Sequence, residues 1–144
     1  MVVQGNESLF SHAGDYAIDF KMKPGTKVMA ARGGVVVRVR DSTKTGGLGK
    51  KYVGTANGIT IQHSDGTYGH YLHLQYKGAL VVVGDTVQLG QHIGFSGSTG
   101  FSAFPHLHFE VTRQPQVSHD DFPVQFQTRG GIKFLQPLHW YKAL

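Results

Sequence analysis

His106 and His108, one residue apart in Pro105-His-Leu-His-Phe109, are the residues of this chain best spaced to act together. A strand turns successive side chains to opposite faces, so both imidazoles point one way while Leu107 and Phe109 point into a core. Two imidazoles converging from one rigid strand supply half of a zinc site, because zinc binds neutral imidazole well and needs convergent donors. Asp19 is a further candidate. In Asp15-Tyr-Ala-Ile-Asp-Phe20, Ile18 and Phe20 read as core, which leaves Asp15, Ala17 and Asp19 together on the other face. An inward carboxylate there is costly unless it is paired or bound to metal. The run from Tyr68 to Leu74 offers His70 and His73. Alternation puts His73 on the face of Tyr71 and His70 on the face of Tyr68 and Leu72, so a site can recruit one of the two histidines and not both. His63, His92, His119 and His139 read as surface or hydrogen-bonded core residues.

Short strands must position these groups. Val35 to Arg40 is a β-branched run, and Gly58 to His63 alternates before Ser64-Asp-Gly-Thr67 turns the chain back along Tyr68 to Leu74, the pattern of a hairpin. Leu80 to Val83, Val87 to Leu89, Ile93 to Ser96 and Leu107 to Thr112 read as further strands. No long stretch carries the three-and-four apolar spacing of a helix, so the fold class expected is all-β. Asp41 to Asn57, with Lys44, Lys50 and Lys51, is expected to be a long mobile loop walling a binding site. Gly94 to Gly100 lacks the lysine and following helix of a phosphate loop. Its small residues are expected to let an extended peptide approach and pair as an added strand. In the tail, Phe122 to Phe126 and Ile132 to Leu135 are expected at a sheet edge, and Pro137 to Tyr141 as an aromatic cap.

The 144 residues suit one domain, 1–144, with one core, and twenty glycines fit a turn-rich β fold. The absence of cysteine excludes disulfides and thiolate metal sites. A net charge of +5 favours a polyanionic partner such as nucleic acid, an anionic lipid surface or a cell wall, although solubility alone would also account for it. Basic residues do not cluster with aromatics, which argues against nucleic-acid binding. No apolar run is long enough to enter a bilayer as a spanning helix, and no signal peptide opens the chain. A monomer is expected.

Taken together, Tyr16-Ala-Ile-Asp19-Phe, Pro24-Gly-Thr-Lys-Val28, Ala31-Arg-Gly-Gly-Val-Val36, Tyr71-Leu-His73-Leu, Val83-Gly-Asp-Thr-Val87, Gly90-Gln-His-Ile-Gly94, Ser96-Gly-Ser-Thr-Gly100 and Pro105-His-Leu-His-Phe109 resemble the lysostaphin-type zinc endopeptidases. The matches run in family order over about 12–111, leaving 112–144 as a C-terminal extension expected to pack on the core. The resemblance implies a twisted antiparallel sheet with a narrow groove walled by loops, one zinc ion, and hydrolysis of peptide bonds in peptidoglycan stem peptides or cross-bridges. It also implies a secreted, periplasmic or wall-associated location.

Position by position, the resemblance makes Asp19 and His108 zinc ligands and His106 and His73 the unliganded histidines beside the metal-bound water. The chain departs at the first ligand. The commonest family pattern has a histidine four residues before the aspartate, where this chain has Asp15. His12, in Ser11-His-Ala-Gly14, fits a longer-spaced version and is the favoured first ligand, with Asp15 the alternative. Two histidines and one aspartate leave the fourth zinc position open for water, the arrangement of a catalytic site. His106 is then the expected general base and His73 the expected oxyanion stabiliser. Two other readings share these motifs. One is an inactive wall-binding relative that activates another hydrolase, against which the retained Asp19, His73, His106 and His108 speak. The other is a lipoyl or phosphoryl carrier suggested by Gly84 to Gly94, which lacks the lysine a lipoyl hairpin needs.

Overall fold

Glycine-punctuated β-branched and aromatic runs give thirteen short strands among the residues that the computed structural model describes, 1–4, 16–117 and 120–141. They are β1 (Val2–Gln4), β2 (Ile18–Lys21), β3 (Lys27–Met29), β4 (Gly34–Arg40), β5 (Gly46–Gly47), β6 (Asn57–Gln62) and β7 (Tyr68–Ala79). β8 (Thr86–Val87), β9 (His92–Ser96), β10 (Gly100–Phe101), β11 (His106–Thr112), β12 (Phe126–Thr128) and β13 (Gly131–Lys133) follow. The helical content of the described residues is a single 3-10 turn, Lys50–Tyr52. The expected all-β class is observed.

The main sheet runs β1-β2-β11-β7-β6-β4-β8, and β9 joins it through β7 and carries β3. Its pairings are antiparallel. The expected hairpin is β6 and β7, closed by the Asp65-Gly66 turn, in which the Asp65 carboxylate accepts the Thr67 N–H at 3.1 Å. One face of the sheet is the core. Ile59, Ile61, Tyr71, Leu74, Leu107 and Phe109 are all buried there, with the Tyr71 and Phe109 ring centroids 5.0 Å apart. The Tyr71 hydroxyl accepts the Ala31 N–H at 2.8 Å, so this buried phenol is satisfied.

Two β-bulges change which side chains face the core. In β4, Val36 pairs with Ile61 and Arg38 with Thr60, so Val37 is the extra residue. In β7, Leu74 pairs with Asn57 and Leu72 with Gly58, so His73 is the extra residue, and it holds the left-handed backbone at φ 63°. Beyond each bulge the alternation restarts in the opposite sense. Val36 and Val39 both pack on the core although their spacing is odd, and so do Tyr71 and Leu74.

Several expectations are corrected. Leu80 to Val83 is not a strand. The Val82 N–H is taken by the Asp85 carboxylate at 2.9 Å, the Leu80 N–H goes to the Ile93 carbonyl at 2.9 Å, and only Val81 is buried. The segment Asp41 to Asn57 is hydrogen-bonded at several points rather than a free loop. Asn57 grips both the N–H and the carbonyl of Thr43, and β5 pairs in parallel with β10. The small residues of Gly94 to Gly100 make room for the protein's own chain. A Cβ on Gly97 would lie 2.6 Å from the Gln75 nitrogen, and one on Gly100 2.6 Å from Ala56. In the tail, the Phe122 N–H bonds the Val111 carbonyl at 3.2 Å beside an antiparallel bridge from Asp121 to Thr112, so that segment begins at the end of β11 as expected, while β12 and β13 pair with each other. Tyr141 is half-buried against Val2, Ile18 and Leu135, whereas Trp140 is 80% exposed and caps nothing.

Candidate active site

The face opposite the core carries the polar residues. Register sets them in a row: Asp19 on β2 lies opposite His108 on β11, and His108 opposite Leu72 on β7. The bulge then swings His73 out of the Tyr71 face and onto this one. Asp19 Oδ1 lies 3.0 Å from His108 Nδ1 and 3.6 Å from His106 Nε2. The His73 ring centroid is 4.5 Å from that of His106 and 6.0 Å from that of His108. Asp19, His73, His106 and His108 therefore meet at one spot.

The hydrogen bonds fix which nitrogens face it. A carbonyl can only accept, so His106 Nδ1–H donates to Phe104 O at 2.8 Å and His73 Nδ1–H to Thr99 O at 2.7 Å. In both rings Nε2 is the nitrogen left to face the spot. Burial, reinforced by the neighbouring His106 and His108, pushes the His73 pKa down to about 4, so that ring is neutral at pH 7. His108 goes the other way. Burial opposes its charge, but the Asp19 and Glu110 carboxylates outweigh burial and hold the pKa up to about 9.

Glu110 was not singled out in the sequence, yet it is buried and sits with Oε2 3.5 Å from His108 Nε2. Its other oxygen, Oε1, has no hydrogen-bond partner among the described atoms. The signal was present: His106, His108 and Glu110 are spaced by two and share a face. His70 also lies on this face, contrary to the expectation that only one of His70 and His73 could. It sits opposite Glu110, with Nδ1 3.0 Å from Thr60 Oγ1 and Nε2 2.8 Å from Thr112 Oγ1. Of the histidines read as structural, His63 bonds the Gly33 carbonyl at 2.9 Å and His92 the Gly94 carbonyl at 3.0 Å. His119 lies outside the described residues, as do His12 and Asp15.

No group of three His, Cys, Asp or Glu side chains among the described residues is arranged to hold a metal ion. The donor pair that is described fits one. Tetrahedral zinc with bonds near 2.05 Å sets its donor atoms roughly 3.3 Å apart, and Asp19 Oδ1 and His108 Nδ1 are 3.0 Å apart. Glu110 behind the other ring nitrogen supplies the outer carboxylate that metal-binding histidines usually have. Beside His73 a groove of about 410 Å³ opens, lined by Leu72, Phe101, Val53, Arg38 and Arg40.

Residues 13–120 match the sequence profile of peptidase family M23. The chain belongs to that family. Over 112 residues, 78% of this chain, it is 38% identical to an uncharacterized metalloprotease of Buchnera aphidicola. It is 42% identical to lysostaphin of Staphylococcus staphylolyticus over 96 residues, and 40% identical to the peptidoglycan DD-endopeptidase ShyA of Vibrio cholerae over 93. These matches cover 66% and 65% of the chain. The chain spans only 26%, 18% and 19% of the lengths of these three relatives. The crystallised catalytic domain of Staphylococcus simulans lysostaphin superposes with a TM-score of 0.63 at 35% identity, over 83% of either chain. A zinc-containing peptidase from Vibrio cholerae gives 0.60 at 28% identity, over 85% of this chain and 35% of the other. The M23 sheet with its groove is thus the fold of this chain.

Proposed function

We propose that this M23 peptidase is a zinc-dependent endopeptidase that cleaves peptide bonds in peptidoglycan stem peptides or cross-bridges, at or outside the cell surface. The observation that carries the reading is the convergence of Asp19 and His108, spaced as metal donors, with the Nε2 atoms of His73 and His106. Family membership and the similarity to lysostaphin and to a peptidoglycan DD-endopeptidase support it. Asp19 and His108 would hold the ion, with His12 as third ligand and Asp15 as the alternative. When bound, zinc would lower the pKa of a water and polarise the scissile carbonyl.

The chain's own residues do the rest. Glu110 holds the His108 ring so that Nδ1 faces Asp19. His106, its Nδ1–H fixed on Phe104, presents Nε2 as the general base for the water proton. His73, fixed on Thr99, faces the same spot from β7 and is the proposed stabiliser beside the oxyanion of the tetrahedral intermediate. The attraction of Lys44, Lys50 and Lys51, whose segment reaches the groove at Val53, Gly54 and Ala56, for an anionic wall should weaken with salt.

The test is zinc stoichiometry after exhaustive dialysis of the parent and of His12→Ala and Asp15→Ala, followed by digestion of purified wall. One zinc that is lost with His12→Ala alone, together with released peptide amines, is the expected outcome. Loss with Asp15→Ala alone would move the first ligand. A parent that takes up no zinc on reconstitution and releases no amines would end the enzyme reading in favour of a wall-binding module.

A further inference from the structure

The mechanism above leaves Arg38 and Arg40 unused, and they line the groove that begins at His73. Their place is set by the sheet. Without the bulge at Val37, Arg38 and Arg40 would share the core face of Val36; with it, they face the groove opposite Thr60 and Gly58 of β6. The neighbouring register continues across β6, β7 and β11, so Arg40 lies in one row with Leu72 and His108, and Arg38 in one row with His70 and Glu110.

Neither guanidinium has a carboxylate partner among the described residues. Arg40 donates to the Gly54 carbonyl at 2.6 Å and has no carboxylate partner among the described residues; Arg38 has neither a hydrogen bond nor an ion pair there. Of the other arginines, Arg32 pairs with Asp65 and Arg113 with Asp120, while Arg129, outside the groove, has no ion pair among the described residues. Around the two groove arginines the walls are apolar: Val53, Leu72 and Phe101. Two planar forks with free donors, set in apolar walls, recognise a carboxylate by paired charge-assisted hydrogen bonds.

We propose that Arg38 and Arg40 form a subsite for a free carboxylate on the substrate peptide. The assignment rests on the peptidase reading above for where the peptide is cut. β4 lies three strand spacings, roughly 14 Å, from β11, which carries His106 and His108, and an extended peptide advances about 3.3 Å per residue. The recognised carboxylate therefore sits about four residues from the scissile bond. This selects acidic wall peptides over neutral ones: an uncharged glycine bridge, or a stem whose carboxyls are amidated, leaves both guanidiniums without a partner.

The test compares a fluorescein-labelled stem tetrapeptide bearing free carboxylates with its fully amidated counterpart. Binding is read by anisotropy on zinc-loaded protein carrying His106→Ala, so that the peptide stays uncut. A preference of about tenfold for the acid form is expected from two charge-assisted contacts. It should fall to about twofold or less in Arg38→Gln/Arg40→Gln. It should be unchanged in Lys133→Gln, which removes a charge on β13 and so controls for overall charge. If the double variant fails to fold, the two single variants carry the test, each losing about threefold of the preference. Equal binding of the two peptides overturns the subsite, as does a preference that survives the arginine variants or falls equally with Lys133→Gln. Hydrolysis is read separately with His106 intact. An acid preference without hydrolysis would sink the peptidase reading and leave the subsite standing. Equal affinity with hydrolysis of both peptides would do the reverse.

Discussion

His70 and His73 sit three residues apart on β7, on the same face of the sheet, both buried and both with pKa values pushed down to about 4 by that burial. They differ in what their nitrogens do. His70 engages both, one with Thr60 and one with Thr112. His73 engages only Nδ1, with a backbone carbonyl, and His106 across from it also holds a backbone carbonyl through Nδ1 while its Nε2 lies 3.6 Å from Asp19 Oδ1. A buried, perturbed histidine is thus not by itself a reagent. A ring with both nitrogens occupied holds strands together, and a ring with one nitrogen left over can move a proton.

This contrast predicts that the two kinds of histidine fail in different assays. The largest effect is expected for His106→Ala, which should lower wall hydrolysis by at least about a hundredfold while retaining zinc. Unchanged turnover would remove the base assignment and with it half of the comparison. Next is Glu110→Gln, which keeps the shape but weakens the grip on His108. Chelator competition should find zinc affinity reduced by about ten- to a hundredfold, the scale for outer-shell partners of metal ligands. Undiminished affinity would make Glu110 a packing residue. The smallest effect is His70→Gln, which should leave zinc content and turnover within a fewfold of the parent and change stability instead. His70 is neutral in the fold with a pKa near 4, while an unfolded chain takes up the proton near 6.5. The folded state is therefore favoured by this group above pH 6.5, and the contribution is lost as pH falls from about 6.5 to 4. Urea unfolding at pH 7.5 and 4.5 should show that the substitution shrinks the difference by roughly 2 kcal/mol. A pH dependence untouched by His70→Gln would show that the ring titrates in the native state.

Much of the architecture was legible because the strands follow simple alternation. Pro105 to Phe109 divides into core and polar faces as its spacing says, and the Asp-Gly turn marks the β6–β7 hairpin. What could not be read are the places where the backbone breaks the period. Nothing in Tyr71-Leu-His-Leu announces that His73 is unpaired, so alternation placed it with Tyr71. The same is true of Val37, whose bulge turns Arg38 and Arg40 toward the groove. Leu80 to Val83 has the composition of a strand, but the Asp85 carboxylate and the Ile93 carbonyl take N–H groups that a ladder would have used. The glycines of 94–100 looked like room for a ligand because sequence cannot distinguish close approach of substrate from close approach of Gln75 and Ala56. His12 and Asp15 fall outside the described residues, so the choice between them rests on the metal measurement.

The bulge at Val37 also makes β4 tolerant of one change in length. Trimming Val37 to alanine removes two methyl groups from a half-buried position. Deleting the residue would leave Val36 opposite Ile61 and Arg38 opposite Thr60 in an unbroken ladder, so Arg38 and Arg40 keep the groove side and Val39 the core side. One missing codon there would thus cost only the local twist that the extra residue adds. Deleting Val39 instead would set Arg38 and Arg40 on opposite faces and turn one cation toward the core.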